Sequence, residues 1–208
     1  MGLAISVGYI AELTEYDPES VDDLRADYDT VNVVLAANGL PEHHEPDSLP
    51  ELDDRTPILG FPYSCLHELR RVYARHMVAS GQTGLPPGLV VTDETIVDHV
   101  SSEQHHLLWH SDCEGFYVPI DFPNVLIDDR LSGTTLGSSQ RLLAELQNVA
   151  PALGISLTKA GDLSEAEAAD LEALIESDSP LATPAMVWFA LFEAARLSIA
   201  HSTAIHFG

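Results

Sequence analysis

The chain has 208 residues, 45% of them hydrophobic, and a formal net charge of -24 from 33 Asp and Glu against nine Lys and Arg. That length suits one ordinary domain with a sizeable core; no run of the roughly 18 apolar residues that a membrane span needs is present, and so strong a negative charge argues against nucleic acid or an anionic membrane as partner. Two cysteines, Cys65 and Cys113, cannot build a disulfide framework, and no basic region precedes the first apolar residues, so a reducing, cytoplasmic location without a leader is expected.

Residues 3–10, LAISVGYI, have the β-branched and aromatic content of a strand. Asp17 and Pro18 then offer an N-cap and a first-turn proline, and Val21, Leu24, Tyr28, Val31 and Leu35 recur at helical spacing as far as Gly39 and Pro41. Residues 41–57, rich in Pro, Asp and Glu, read as a long acidic loop. Helical period returns from Tyr63 to Ser80, with Leu66, Leu69, Tyr73 and Met77 inward and Gly81 as the stop. Gly84, Pro86 and Pro87 mark residues 81–88 as a connection, while 89–100 fits helix or strand equally. The apolar run Leu107-Leu108-Trp109 reads as a buried strand that delivers His110-Ser111-Asp112-Cys113-Glu114-Gly115 to a sheet edge. Residues 116–120 read as an edge strand, because Pro119 would break a central ladder, and residues 121–137 as a loop. Ser138 caps a helix with Leu142, Leu143, Leu146 and Val149 inward, and an acidic helix follows from Ser164 with Ala168, Leu171, Leu174 and Ile175 on one face. Thr183 and Pro184 start the last helix, with Val187, Leu191, Ala194, Leu197 and His201 in its stripe, and Thr203 to Phe207 closes as a short strand. The pattern predicts a single α+β domain over residues 1–208, a mixed β-sheet with amphipathic helices packed against it.

The charge is uneven. Residues 1–57 hold 14 acids and two bases, residues 58–89 one acid and three bases, and residues 90–208 hold 18 acids and four bases. Such a surface is either a solubilising coat, as in a proteome adapted to high salt, or a match to a basic partner, for which complementarity raises association rate and selectivity. In the lone positive island, Arg71 and Arg75 stand four apart on one helix face and make an anion-binding candidate, set against the plainer role of neutralising nearby acids. His105, His106, His110, Asp112, Cys113 and Glu114 are all zinc-ligand types. On a strand, His106 and His110 share a face with Asp112 and Glu114 while His105 and Cys113 face away, so no site forms without distant help. A metal held by His106, His110 and Asp112 is therefore the alternative to no metal, and no cofactor is expected, since no glycine-rich phosphate loop is present. Cys113 with His110 as base would make a metal- or cysteine-dependent enzyme; unactivated, Cys113 is a small hydrophobe. Ser111 and Asp112 more simply accept backbone N–H groups in the turn, with Gly115 at positive φ.

Four features together resemble a bacterial immunity-protein family encoded beside polymorphic toxins. These are Met1-Gly2-Leu3 opening the first strand, the apolar run into the HSDCEG string at 110–115, the helix Ser139 to Val149, and the terminal helix Val187 to Ala200 leading into Ala204-Ile205-His206-Phe207. The resemblance implies a small cytosolic α+β protein that neutralises a toxin by binding and has no enzymatic role, with residues 110–115 as a structural signature. The expected function is then that of an immunity-type inhibitor acting through an acidic surface on a basic protein partner, its oligomeric state open; the alternative is the enzyme centred on His110 and Cys113.

Overall fold

Six short strands form one mixed sheet in the order β2-β1-β6-β3-β5-β4: β1 (Gly2–Val7), β2 (Gly60–Pro62), β3 (Gly115–Val118), β4 (Leu126–Ile127), β5 (Thr135–Ser138) and β6 (Ile205–Phe207). The computed structural model describes residues 2–56, 58–83 and 95–208. Strands β3 and β5 pair parallel and the other neighbours antiparallel. The described helices are α1 (Tyr9–Tyr16), α2 (Val21–Ala37), α3 (Tyr63–Ala79), α4 (Ile96–Val100), α5 (His106–Trp109), α6 (Ser139–Val149), α7 (Glu165–Ile175) and α8 (Ala182–His201).

Strand alternation divides the interior into two cores. On one face Leu3, Ile5, Tyr117, Ile205 and Phe207 meet α3, α6 and α8; on the other Phe116, Val118 and Leu136 meet α1 and α2. Helix α8 is buried nearly all round because it packs against the sheet, α3, α6 and α7, which is why its sequence shows apolar residues on every side. Its Trp188 is fully buried and donates its indole N–H to Leu146 O at 2.8 Å, so truncating that ring would remove about 3–5 kcal/mol.

Most helices fall where the sequence puts them. Ser138 Oγ accepts the Arg141 N–H and Ser164 Oγ the Glu167 N–H, as N-caps should, and α3 and β6 keep their expected limits closely. Several readings change. The strand expected at Leu107 to Trp109 is a single helical turn, α5: Glu145 accepts the His106 and Leu107 N–H groups (2.8 and 2.6 Å), and the Arg70 guanidinium donates to the Leu107 and His110 carbonyls (2.8 and 2.7 Å). Both ends of this turn are satisfied from other helices, so no local signal announces it. Strand β3 is central, between β6 and β5, because it stops at Val118 and leaves Pro119 outside the ladder. The loop expected at 121–137 contains β4 and most of β5. The first strand ends at Val7, where Gly8 at φ 74 turns the chain into α1, and a 3-10 turn over Pro18–Ser20, with no side-chain cap from Asp17, precedes α2. Helix α8 starts at Ala182, one residue before the expected Thr183 cap. Of the connection at 81–88 and the ambiguous stretch 89–100, residues 84–94 lie outside the described residues and Ile96–Val100 is helical.

Candidate functional site: an acidic face

The apolar stripe of α2, Val21, Leu24, Tyr28, Val31 and Leu35, turns toward the sheet. At 100° per residue this leaves Asp22, Asp23, Asp27 and Asp29 within an arc of about 160° on the far side, and all four are exposed. From Asp22 to Asp29 the axis rises about 10 Å, in steps of about 1.5, 6 and 3 Å, so the four carboxylates form a dense patch on the outer side of the helix. Helix α1 and the 3-10 turn extend the face with exposed Glu12, Glu15, Asp17 and Glu19, and Tyr16 stands among them 76% exposed.

Both basic residues of this part of the chain are spent internally. Arg25 reaches Asp47 at 2.7 Å. Arg55 is bound by the buried Glu193 of α8 through its Nε (3.1 Å), its Nη2 and its backbone N–H, and it also donates to Leu163 O. The acidic loop is tied down at two further points. Asn32 brackets His43, donating to its carbonyl at 2.9 Å and accepting its N–H at 2.7 Å. Glu45, buried against His43 at 2.6 Å, takes the Thr203 hydroxyl and the Ala204 N–H. Glu45 is thus structural, whereas Asp47, Glu51, Asp53 and Asp54 stay exposed and widen the acidic surface.

The HSDCEG segment joins this face through one residue. Phe116 of β3 packs on Tyr28 of α2 with ring centres 5.1 Å apart, which carries the preceding loop toward the helix. Burial first, then Asp23 and Glu114, raise the Asp27 carboxyl above its ordinary range, so Glu114 adds its charge to that of α2. The rest of the segment builds the turn. Ser111 Oγ accepts the Cys113 and Glu114 N–H groups at 3.4 Å each, as the sequence suggests, while Asp112 instead faces His67 Nε2 at 3.1 Å and Arg70 Nη1 at 4.0 Å. Gly115 has φ 120, and a Cβ on it would lie 3.0 Å from Ser132 O.

His110 does not serve Cys113. Its ring is buried, stacked on Tyr117 at 4.1 Å, with Nδ1 2.9 Å from Ser111 O and Nε2 3.0 Å from Phe116 O; burial pushes it down to about 4. The exposed Cys113 thiol instead lies 3.4 Å from Ser111 Oγ. The proposed metal ligands are likewise spent apart: His106 Nδ1 accepts the Ser138 N–H at 3.0 Å, and among the described residues no three His, Cys, Asp or Glu side chains converge. Arg71 pairs with Glu68 at 2.8 Å and lines a cavity of about 600 Å3 with His67, Arg70 and Trp109, but Asp98 is on the same wall and Arg75 is not. The side chains that the sequence reading passed over, Arg70, Glu145 and Glu193, all act across long separations, and the only sequence signal for the acidic face was the charge count of residues 1–57.

No helix among the described residues is long and apolar enough to cross a membrane. No curated protein and no solved structure matches the chain. A family model described as "Putative DNA-mimic protein" matches residues 1–207, a span that takes in the acidic face, its loop and every strand of the sheet. The chain belongs to that family of putative DNA-mimic proteins.

Proposed function

We propose that the protein is a non-enzymatic binder whose α1–α2 face occupies the DNA site of a DNA-binding protein. The observation that carries this reading is the patch of four exposed carboxylates on the outer side of α2, with the neighbouring arginines already paired. A cleft lined with Lys and Arg gains from such a patch what it gains from phosphates: steered association, charge-assisted bonds that are often bidentate with Arg, and release of counterions. DNA itself is repelled by the same charge, so the partner is the protein that reads DNA. A DNA-cleaving toxin is one protein of that kind, and the resemblance of the 110–115 segment to immunity proteins supports this narrower form.

Displacement tests the reading. A labelled duplex bound to a purified, sequence-nonspecific DNA-binding protein or nuclease from the same cell should be released by stoichiometric amounts of this protein at about 50 mM salt and far less well at about 200 mM. A variant with Asp22, Asp23, Asp27 and Asp29 changed to Asn should lose that ability while remaining folded. Failure to displace duplex from any member of such a panel at low salt would refute the proposal.

A further inference from the structure

Duplex DNA offers its readers phosphates and base edges, but no apolar trough beside a row of charges. This protein has one. Two adjoining cavities of about 460 and 290 Å3 share Val7, Glu12 and Leu52 on their walls and lie between α1, the end of β1, the segments 47–56 and 58–59, and α8. Apolar side chains line both, Ala11 and Leu49 in the first and Ile58 and Leu197 in the second, beside the hydroxyls of Thr14, Ser48, Ser6 and Thr56. The charged side chains on the walls are all carboxylates, Glu12, Glu15, Asp54 and Asp47, the last already paired with Arg25; no Lys, Arg or His among the described residues lines either cavity. Burial raises the Asp54 carboxyl above its ordinary range, a condition that a docked cation would relieve. Tyr16 lines the first cavity and Leu59 the second, at 76% and 71% the most exposed large hydrophobic side chains among the described residues.

We propose that this groove receives a basic segment of the partner that also carries apolar side chains, its Arg or Lys answering the wall carboxylates and its Leu- or Phe-sized groups packing against the apolar side chains. The inference rests on the reading of the acidic face as a substitute for DNA, and it adds what DNA lacks. Charge pairing at an exposed surface is screened by salt, whereas apolar burial is not, so the groove makes binding persist at ionic strengths that strip a purely electrostatic mimic, and it selects among basic partners.

Two synthetic peptides of about 16 residues and equal positive charge separate the contributions: one with Leu at helical spacing between its Lys and Arg, the other with Ser at those positions. Both should bind at about 50 mM NaCl in fluorescence anisotropy, and at about 300 mM the Leu peptide should bind at least about tenfold more tightly. A Tyr16→Ser, Leu59→Ser double variant, altered only at exposed side chains, should erase that difference and leave the Ser peptide unaffected. Equal affinities at both salt concentrations, or a difference that survives the double variant, would overturn the groove while leaving displacement of duplex DNA standing. Binding of neither peptide at low salt also overturns it, whereas loss of duplex displacement with the Leu preference intact counts against the DNA-mimic reading alone.

Discussion

Glu193→Gln is the sharpest probe of what holds the acidic loop in place. The Glu193 side chain is fully buried and accepts from the Nε, Nη2 and backbone N–H of Arg55, and from Arg196 Nη2 at 2.7 Å; Arg196 in turn donates to the Asp53 carbonyl. Burial alone would push this carboxyl up, but the bonds from the two guanidinium groups outweigh it and hold the carboxyl below its ordinary value. Gln keeps the volume, removes the charge and points an NH2 at a donor. Breaking one partner out of a buried pair costs about 3–5 kcal/mol; because Arg55 and Arg196 keep 15% and 26% of their side-chain exposure, about 2–4 kcal/mol is expected here. For a chain of this length each kcal/mol moves Tm by about 2–4 °C, so thermal unfolding followed by circular dichroism should show a fall of about 4–16 °C at pH 7. The folded-state pKa is depressed, so this contribution is present above the unfolded carboxylate range and the gap to wild type should narrow as pH falls through it. Local release should also expose the Arg55 bond to trypsin. A Tm within about 2 °C of wild type, with Arg55 still protected, would refute the account.

Other consequences are equally direct. Burial lowers His106, His110 and His206 from 6.5 to about 4 and raises Glu145 from 4.5 to about 8. Between about 4.5 and 6.5 the unfolded chain binds more protons, at the histidines, and stability rises with pH; between about 6.5 and 8 the native state holds the extra proton, on Glu145, and stability falls as pH rises. The urea midpoint should therefore peak near pH 6.5 and Glu145→Gln should flatten the alkaline side, whereas a wild-type midpoint that climbs from 6.5 to 8 would contradict both. Gly133 has φ 65, and a Cβ there would overlap Glu114 O and stand 2.9 Å from Ser111 Oγ, so Gly133→Ala should lower the urea midpoint by the equivalent of about 1–3 kcal/mol. Asp27→Asn should raise stability by about 0.2–0.5 kcal/mol at low salt, by relieving the like-charge pair with Asp23, and at the same time weaken duplex displacement.

What the sequence made legible were the features with local causes. Ser138 and Ser164 cap α6 and α7 because a hydroxyl two or three residues ahead of an orphan N–H needs no distant help. The stripes of α2 and α3 follow from period alone. Helix α5 was not legible, because three apolar residues fit a strand as well as a turn and the deciding groups, Glu145 and Arg70, come from α6 and α3. The central place of β3 was obscured by Pro119, which lies just past the ladder and constrains nothing within it. For the acidic face, the charge count of residues 1–57 was the only sign in the sequence, and it did not single that part out, since residues 90–208 carry 18 acids against four bases. That Glu114 joins the face depends on Phe116 packing against Tyr28, a contact between segments nearly ninety positions apart that periodicity cannot supply.

A solubilising coat needs net charge and leaves its position free, whereas a DNA substitute needs charge at chosen places even where the fold loses by it. Asp22 and Asp23 do not discriminate, since they occupy the first turn of α2 and each interacts favourably with the helix dipole. Asp27 and Asp29 have no such account. A helix shaped for stability alone sets opposite charges three or four residues apart, and Arg25 is so placed relative to Asp22 and Asp29, yet its guanidinium is drawn away to Asp47. Asp27 is left beside Asp23 and Glu114, with its carboxyl raised by burial and by both neighbours. Carboxylates gathered against repulsion, with the one cation of α2 turned aside to Asp47, are what a surface built for an external cation requires. A coat would lose nothing in binding when Asp27 becomes Asn; a mimic loses affinity as it gains stability, and opposite signs in those two measurements on one variant separate the two explanations.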